Sequence, residues 1–288
     1  MKPFNVEKAN EIEREIEGEA ILEWVGEISL DEVVRALPFT WWIEAIDKKV
    51  GAFDYNRLII VPWEAWSGKT TYTMQMAQQN ARNGLKVAYM SLEMWAKGLI
   101  VATAKKTAGI EMQTKAWAAV EITDIQKTTF NETVNELSKI ENLDIIWYKK
   151  SLTLKSFETE MERLAVDYDL IFIDNLWFIG RTDWRKESEL TPLITEICMN
   201  VRKDNKVSIV ALTHMTKGGE KQEWPRGRSA IRGSGKVIDD ADKIVQIFRE
   251  GDSTSFILQK DRDNWLNATI PLVFNKGKFI ADCFNHPF

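Results

Sequence analysis

Residues 58–70 read LIIVPWEAWSGKT, in which an apolar strand runs into a short loop that ends in Gly-Lys-Thr. A loop of this kind wraps its backbone N–H groups around phosphate groups at the start of a helix, where the helix dipole also favours negative charge. The lysine of the tripeptide reaches the β and γ phosphates, and the threonine hydroxyl binds Mg²⁺. The stretch therefore predicts a site for ATP and Mg²⁺ whose binding residues are Ser67, Gly68, Lys69, Thr70 and Thr71.

The same loop departs from its pattern at the leading position. The pattern has glycine five residues before Gly68, but Trp63 stands there and Trp66 lies inside the loop. Each indole brings up to about 250 Å² of ring surface to a place where phosphates would lie, and a non-glycine residue held at positive φ costs about 1–2 kcal/mol. If both tryptophans are genuine, we expect negligible ATP binding and a catalytically inactive scaffold.

Tryptophan is unusually common throughout the chain. There are 12 tryptophans and 15 glycines, where about 20 glycines would be usual for this length. Several tryptophans stand where turn chemistry favours glycine, among them Trp41, Trp42, Trp224 and Trp265. Our hypothesis is that the gene uses a code in which UGA means glycine, and that UGA has been translated as tryptophan. The alternative is that the tryptophans are genuine core or interface aromatics, and UGG at codons 63 and 66 would establish it.

Composition is that of an ordinary globular protein. Of the 288 residues, 44% are hydrophobic and 28% are charged, and no apolar run approaches the length of a membrane span. The start of the chain lacks the apolar core of a signal peptide, so we expect a cytoplasmic protein with no membrane partner. The 2 cysteines are too few for a disulfide framework or a zinc site.

Charge is unevenly distributed along the chain, whose net charge is -5. Residues 1–36 carry an excess of acids, whereas residues 215–236 carry an excess of bases. The overall balance argues against a protein that binds nucleic acid with its whole surface, but the basic segment permits a local track. Its cations alternate with small residues, a mixture that suits contact with a single-stranded backbone; a solvated loop is the alternative.

The apolar pattern predicts an α/β fold, because strands and helices alternate from residue 57 onwards. In order, we expect strand 57–61, helix 69–83, strand 86–91, a helical region at about 95–140, strand 143–148, helix 155–167, strand 170–174, helix 188–203 and strand 207–212. Shorter strands near 243–248, 254–260 and 269–274 predict an antiparallel extension of this largely parallel sheet. Helices at 5–23 and 29–37 are interpreted as an acidic arm, residues 1–37, before a main domain, residues 38–288.

Three polar residues end or follow predicted strands. Asp174 closes the apolar strand 170–174, in the form of a Walker B element that holds Mg²⁺. Glu93 would orient an attacking water, and the polar tip of His214 would contact the γ-phosphate, since ligands of open α/β sheets bind at this edge. Each has a plainer interpretation, as a solvent-facing aspartate, a helix-capping glutamate or a simple hydrogen-bonding histidine.

Lys260 and Arg262 lie two residues apart at the end of a late predicted strand, so their side chains are expected on the same side of it. A guanidinium there could stabilise transition-state charge in the site of a neighbouring subunit. Most exposed pairs of this kind are only solvated surface.

Together these segments resemble the RecA-like motor domain of DnaB-type replicative helicases over residues 38–281. The resemblance rests on Thr40–Asp47, the phosphate loop, Ser91–Met94, Phe172–Asn175, the strand that ends at His214, Ile231–Gly235, Asp239–Asp242 and Lys260–Arg262. It implies a RecA-like P-loop NTPase core with a mainly parallel central sheet, antiparallel C-terminal strands and a short N-terminal helical arm that docks on an adjacent subunit.

The resemblance also implies roles for single residues. Lys69 and Thr70 become phosphate and Mg²⁺ ligands, Glu93 the catalytic base, Asp174 the Walker B acid, and Lys260 with Arg262 a pair acting in trans. Candidate contacts to the DNA backbone are Arg228, Arg232, Gly233 and Gly235. His214 stands where this family usually has a glutamine sensor, as in compact plasmid replication helicases.

The function implied is that of a homohexameric ring that hydrolyses ATP between subunits and moves 5′ to 3′ along single-stranded DNA. Primase or a helicase loader are its candidate partners, and phage or plasmid replication is the expected setting. A RecA-like recombinase or mediator, which hydrolyses ATP on single strands without unwinding, stays open beside the inactive scaffold. A forked-duplex unwinding assay separates the helicase from the recombinase.

Overall fold

The computed structural model describes residues 39–53, 55–63, 68–110, 122–182, 185–215, 231, 234–250, 253–264, 266–275 and 278–282. These residues belong to one compact unit, Pro38–Phe288. The predicted arm at residues 1–37 and most of the predicted DNA loop lie outside the described residues, so both stay predictions.

The order of elements confirms the predicted alternation of strands and helices. In chain order the elements are α1 (Glu44–Val50), β1 (Leu58–Trp63), α2 (Lys69–Arg82), β2 (Val87–Ser91), α3 (Ala96–Thr107), α4 (Asp124–Ser138), β3 (Leu143–Trp147), α5 (Leu154–Asp167), β4 (Leu170–Asp174), a 3-10 helix (Leu176–Phe178), α6 (Glu187–Asn205), β5 (Ser208–His214), α7 (Ser234–Asp240), β6 (Lys243–Glu250), β7 (Ser253–Asp261), β8 (Ala268–Asn275) and β9 (Lys278–Ala281).

Several details differ from the sequence expectation, which did not include α1, the 3-10 helix or α7. The helical region predicted at 95–140 contains two helices, α3 and α4, and residues 111–121 between them lie outside the described part. The strand β9 was not predicted, because four residues are too few to display an alternating pattern. Its pairing with β8 is the third antiparallel pairing, after β6 with β7 and β7 with β8.

The nine strands form one sheet in the order β3-β2-β4-β5-β1-β6-β7-β8-β9. Every pairing from β3 to β6 is parallel, and the pairings from β6 to β9 are antiparallel. A mainly parallel sheet with antiparallel C-terminal strands was the expectation, and it is confirmed.

The central parallel strands β1, β2, β4 and β5 are buried on both faces. In β1, Ile59 and Val61 join the core that contains Tyr72 of α2, whereas Leu58 and Ile60 join the core that contains Phe157 of α5. Alternate side chains of a strand point to opposite faces, so a strand covered on both sides is apolar at every position. This explains why continuous apolar runs marked the strands in the sequence.

The parallel arrangement brings the carboxyl ends of β1, β2, β4 and β5 to a single edge, where open α/β sheets bind their ligands. Trp63, Ser91, Asp174 and His214 are the last residues of these four strands. Among the helices that the structure describes, none combines the length and the apolar character needed to cross a membrane.

Candidate nucleotide-binding site

The start of α2 requires glycine at position 68. Gly68 is the N-cap of the helix and has a φ of 88°, in the left-handed region that glycine favours. A Cβ at this position would lie 2.7 Å from the Cζ atom of Phe279, which packs against the backbone here. The chain can therefore turn into α2 closely enough for backbone N–H groups to face a phosphate.

The predicted catalytic residues come together beside the start of α2. Lys69 Nζ lies 3.2 Å from Glu93 Oε2 and 3.9 Å from Asp174 Oδ1. The Thr70 hydroxyl donates a hydrogen bond of 2.8 Å to Asp174 Oδ2. Asn175, which the sequence did not single out, donates from Nδ2 to Glu93 Oε2 over 3.0 Å. One cation, two carboxylates and a hydroxyl thus form a single connected cluster.

Asp174 is the most deeply buried ionisable member of this cluster, with 3% of its surface exposed. Burial raises the pKa of its carboxyl, and this effect outweighs the opposing influence of Lys69 and of the hydroxyls of Thr70 and Tyr89. Among the described residues its Oδ1 atom has no hydrogen-bond partner. A buried carboxylate oxygen without a partner is costly, and its position points to a ligand beside Lys69.

The residues present fit Mg²⁺. A carboxylate and a hydroxyl are oxygen ligands of the kind that Mg²⁺ prefers, and Mg²⁺ usually takes only one or two protein ligands beside water and phosphate oxygens. The described part of the chain has no group of three or more His, Cys, Asp or Glu side chains that could hold a metal. An ion at Thr70 and Asp174 would therefore depend on nucleotide oxygens to complete its coordination.

Thr71 has a contact that the motif did not predict. Its hydroxyl accepts a hydrogen bond of 2.6 Å from Lys106 Nζ, which comes from α3. Thr71 is 6% exposed, and burial lowers the pKa of the Lys106 ammonium. A lysine near the end of an ordinary surface-patterned helix gives no sequence signal, so this contact was missed.

His214 lies at the same edge as the cluster. It is the last residue of β5 and is in register with Trp63, the last residue of β1. Since β5 lies between β1 and β4, His214 is placed between the end of the loop strand and the strand of Asp174. Its ring centroid is 6.2 Å from that of Trp177. Residues 64–67, which include Ser67 and Trp66, lie outside the described residues.

Lys260 and Arg262 lie at the opposite edge of the sheet. Lys260 pairs with Ile244, and Ile244 pairs with Ile60 near the start of β1. Trp63 stands three residues farther along β1, or about 10 Å at 3.3 Å per residue. Lys260, on β7, and Arg262, which follows this strand, are also separated from β1 by two strand spacings across the sheet, a further displacement of about 10 Å. These cations are therefore remote from the cluster of their own subunit.

Both cations are held at the end of α7. Lys260 Nζ donates to the carbonyl oxygen of Ala241 over 2.6 Å, and a terminal nitrogen of Arg262 donates to Asp242 Oδ1 over 3.0 Å. Arg262 also donates to the carbonyl oxygen of Asp239. The end of α7, the helix that follows the predicted DNA loop, therefore contacts both residues that are predicted to act in trans.

A family model for the DnaB-like helicase C-terminal domain matches residues 41–279. The chain belongs to this family. Curated relatives include the replicative helicase DnaC of Bacillus subtilis, 26% identical over 213 residues that cover 71% of this chain and 46% of the relative. The replicative helicase DnaB of Treponema pallidum is 25% identical over 246 residues, 81% of this chain and 53% of the relative. The chain spans about half the length of the curated relatives it matches.

Solved structures agree on a RecA-like, DnaB-like fold. A DnaB-like replicative helicase described with its primase interactions has a TM-score of 0.74 at 18% identity, with 87% of this chain and 66% of that chain covered. A protein solved as an isolated ATPase domain has a TM-score of 0.73 at 18% identity, with 88% and 98% covered. The RadB recombinase gives 0.54 at 12% identity, with 84% and 99% covered. At these identities the likeness concerns the fold alone.

Most of the DNA contacts expected for a DnaB-like domain lie outside the described residues. This is so for Arg228, Arg232 and Gly233. Gly235 is described, at the exposed start of α7, and a Cβ there would meet no atom of the described residues within 4 Å. Packing does not demand glycine at this position, so its role in DNA binding stays a prediction.

Three tryptophans bear on the glycine hypothesis. Trp42 has a φ of 75°, in the region that glycine favours. Trp95 is the N-cap of α3 and its side chain makes no capping hydrogen bond, although this position prefers Ser, Thr, Asp, Asn or Gly. Trp41, by contrast, is 1% exposed and its indole nitrogen donates to the carbonyl oxygen of Gly51 over 2.9 Å. The first two positions suit glycine, and the third suits a genuine core aromatic.

Proposed function

We propose that this chain is the ATP-hydrolysing motor of a replicative DNA helicase that moves 5′ to 3′ along single-stranded DNA, in the cytoplasm and in a phage or plasmid setting. The observation that carries the proposal is the cluster of Lys69, Thr70, Glu93 and Asp174 at the carboxyl edge of the sheet. It supplies a phosphate-binding cation, oxygen ligands for Mg²⁺ and a carboxylate in one place. The family membership supports the same function.

Each residue of the cluster has a part in ATP hydrolysis. Lys69 would bind the β and γ phosphates, and Thr70 and Asp174 would hold Mg²⁺, whose positive charge would stabilise the phosphate oxygens. Glu93 accepts the proton of the attacking water as its oxygen bonds to the γ phosphorus and the bond to the bridging oxygen breaks. Asn175 and Lys69 hold the Glu93 carboxylate in place for this step.

The site is shared between subunits in this proposal. Lys260 and Arg262 are remote from the cluster of their own chain, so a neighbouring subunit must present them to the γ phosphate. A head-to-tail arrangement of this kind closes into a ring. A homohexamer around single-stranded DNA, with primase or a helicase loader as partner, is the assembly we propose.

A mixing experiment tests the shared site. In the background Trp63→Gly/Trp66→Gly, Glu93→Gln and Arg262→Ala should each abolish ATP hydrolysis. A 1:1 mixture of the two should recover up to about one quarter of the background rate, since about one interface in four then combines an intact Glu93 with an intact Arg262. Urea unfolding of each variant controls for loss of folding. A mixture as inactive as its components, in variants that fold, would contradict the shared site.

Unwinding and nucleotide binding test the rest of the proposal. A forked duplex should be unwound only when ATP is present; ATP hydrolysis on single strands without displacement would instead favour the recombinase. The presence of Trp63 in the phosphate loop supports the alternative that the chain is an inactive scaffold. We expect that the chain with both tryptophans binds ATP negligibly, whereas the double variant Trp63→Gly/Trp66→Gly binds it. Measurable ATP affinity with both tryptophans present would contradict the steric argument.

A further inference from the structure

Tyr89 is a buried phenol that the nucleotide motifs do not account for. It lies in the middle of β2, where all five residues are buried, and none of its surface is exposed. A buried tyrosine hydroxyl normally has a hydrogen-bond partner. Here the hydroxyl lies 2.9 Å from Asp174 Oδ2 and 3.0 Å from Thr73 Oγ1.

The hydrogen atoms can be assigned from the chemistry of the partners. An ionised carboxylate only accepts hydrogen bonds, so the phenol donates to Asp174. The single hydrogen of the Thr73 hydroxyl is then shared between the phenol oxygen, 3.0 Å away, and the backbone oxygen of Lys69, to which it donates over 3.1 Å. Asp174 Oδ2 consequently accepts two hydroxyls, one from Thr70 of α2 and one from Tyr89 of β2.

The phenol is fixed in position by the sheet. Tyr89 is in register with Phe172 and Ser91 is in register with Asp174, so all four side chains share one face of the sheet. The rings of Tyr89 and Phe172 are stacked, with centroids 5.7 Å apart and planes inclined by 18°. A ring packed in this way cannot swing aside, so strand register sets the place of its hydroxyl.

We propose that Tyr89 is a positioning residue for Mg²⁺ binding, an inference that rests on the function proposed above. Two hydroxyls on Oδ2, from two different elements, fix the rotation of the Asp174 carboxylate. The other oxygen, Oδ1, then faces the space beside Lys69 Nζ without a hydrogen-bond partner among the described residues. Outer residues that orient a metal ligand typically change metal affinity by about 10–100-fold when they are removed.

The test is Tyr89→Phe, which keeps the ring and its stacking and removes one oxygen atom. The matched control is Tyr72→Phe, because Tyr72 is equally buried and its hydroxyl donates to the carbonyl oxygen of Trp41, away from the cluster. The probe is a fluorescent ATP analogue, whose equilibrium binding is titrated with Mg²⁺ and repeated in EDTA. The background is the unaltered chain or, if that chain does not bind, the chain with Trp63→Gly/Trp66→Gly.

We expect Tyr89→Phe to raise the half-saturating Mg²⁺ concentration about tenfold or more, with binding in EDTA and the temperature of unfolding close to those of the control. An unchanged Mg²⁺ requirement, or equal losses with and without Mg²⁺, would overturn the positioning role while leaving the nucleotide site intact. Failure of both backgrounds to bind the analogue would overturn the proposed function and this inference together.

Discussion

Two adjacent tryptophans should respond in opposite ways to replacement by glycine. Trp41 is buried at 1% exposure, and its ring centroid lies 4.7 Å from that of Phe53 and 5.5 Å from that of Phe256. Trp42 is only half-buried and is held at a φ of 75°. The first residue is an anchor of the core around α1, whereas the second occupies a backbone conformation that only glycine adopts without cost.

The losses of unfolding free energy expected for Trp41→Gly and Trp42→Gly differ enough to measure. Removing a fully buried tryptophan costs about 3–5 kcal/mol, while the chain-entropy cost of glycine, about 0.5–1 kcal/mol, is common to both variants and cancels in the comparison. For Trp42, about 100 Å² of lost burial is worth about 2.5 kcal/mol, but release of the positive φ returns about 1–2 kcal/mol. Trp41→Gly should therefore be about 3 kcal/mol more destabilising than Trp42→Gly.

Urea and thermal unfolding of the two variants measure this difference. For a chain of this size, 1 kcal/mol shifts the unfolding midpoint by about 2–4 °C, so Trp41→Gly should melt about 6–12 °C below Trp42→Gly. Midpoints within about 2 °C of each other would refute the role of Trp41 as a core anchor. Such a result would also favour glycine at codon 41 and, with it, the glycine hypothesis for the phosphate loop.

Other predictions concern the base, a buried ion pair and acid stability. In the background Trp63→Gly/Trp66→Gly, Glu93→Gln should lower the rate of ATP hydrolysis by about 10²–10⁴-fold in single turnovers, with nucleotide binding retained; a rate near that of the background would exclude Glu93 as the base. Lys243→Met breaks a buried pair with Asp261, 2.6 Å long, and should lower the free energy of unfolding in urea by about 3–5 kcal/mol, whereas Lys48→Met in the exposed pair with Glu44 should change little. Burial acts to raise the pKa of Asp261, but hydrogen bonds from Lys243 and Asn264 outweigh it and the pKa is lowered. Because the folded-state pKa is depressed, this stabilisation is present above the unfolded-state pKa of about 4 and is lost as the pH falls through the folded value. Asp261→Asn should therefore show a smaller loss of unfolding free energy below about pH 4 than the unaltered chain, and an equal loss would contradict the assignment.

Much of the site could be predicted because its residues follow local patterns. Lys69 and Thr70 belong to a contiguous motif, and Asp174 ends a recognisable apolar strand. Parallel strands bring their carboxyl ends to one edge, so the meeting of these residues with Glu93 follows from the alternation of strands and helices alone. Hydrogen-bond partners such as Asn175, Lys106 and Tyr89 could not be found in this way, because each depends on how two distant elements pack.

The sequence by itself determined the class of fold, the order of its strands and helices and the chemistry available at the carboxyl edge, because apolar periodicity and short motifs are local properties. Only the tertiary structure decided which side chains are joined by hydrogen bonds and how far the late strands lie from the site. It ties Asp174 to both Thr70 and Tyr89, and it places Lys260 and Arg262 at the opposite end of the strands. The register between β2 and β4, which places Tyr89 beside Asp174, pairs residues more than 80 positions apart in the chain, and no local pattern encodes it.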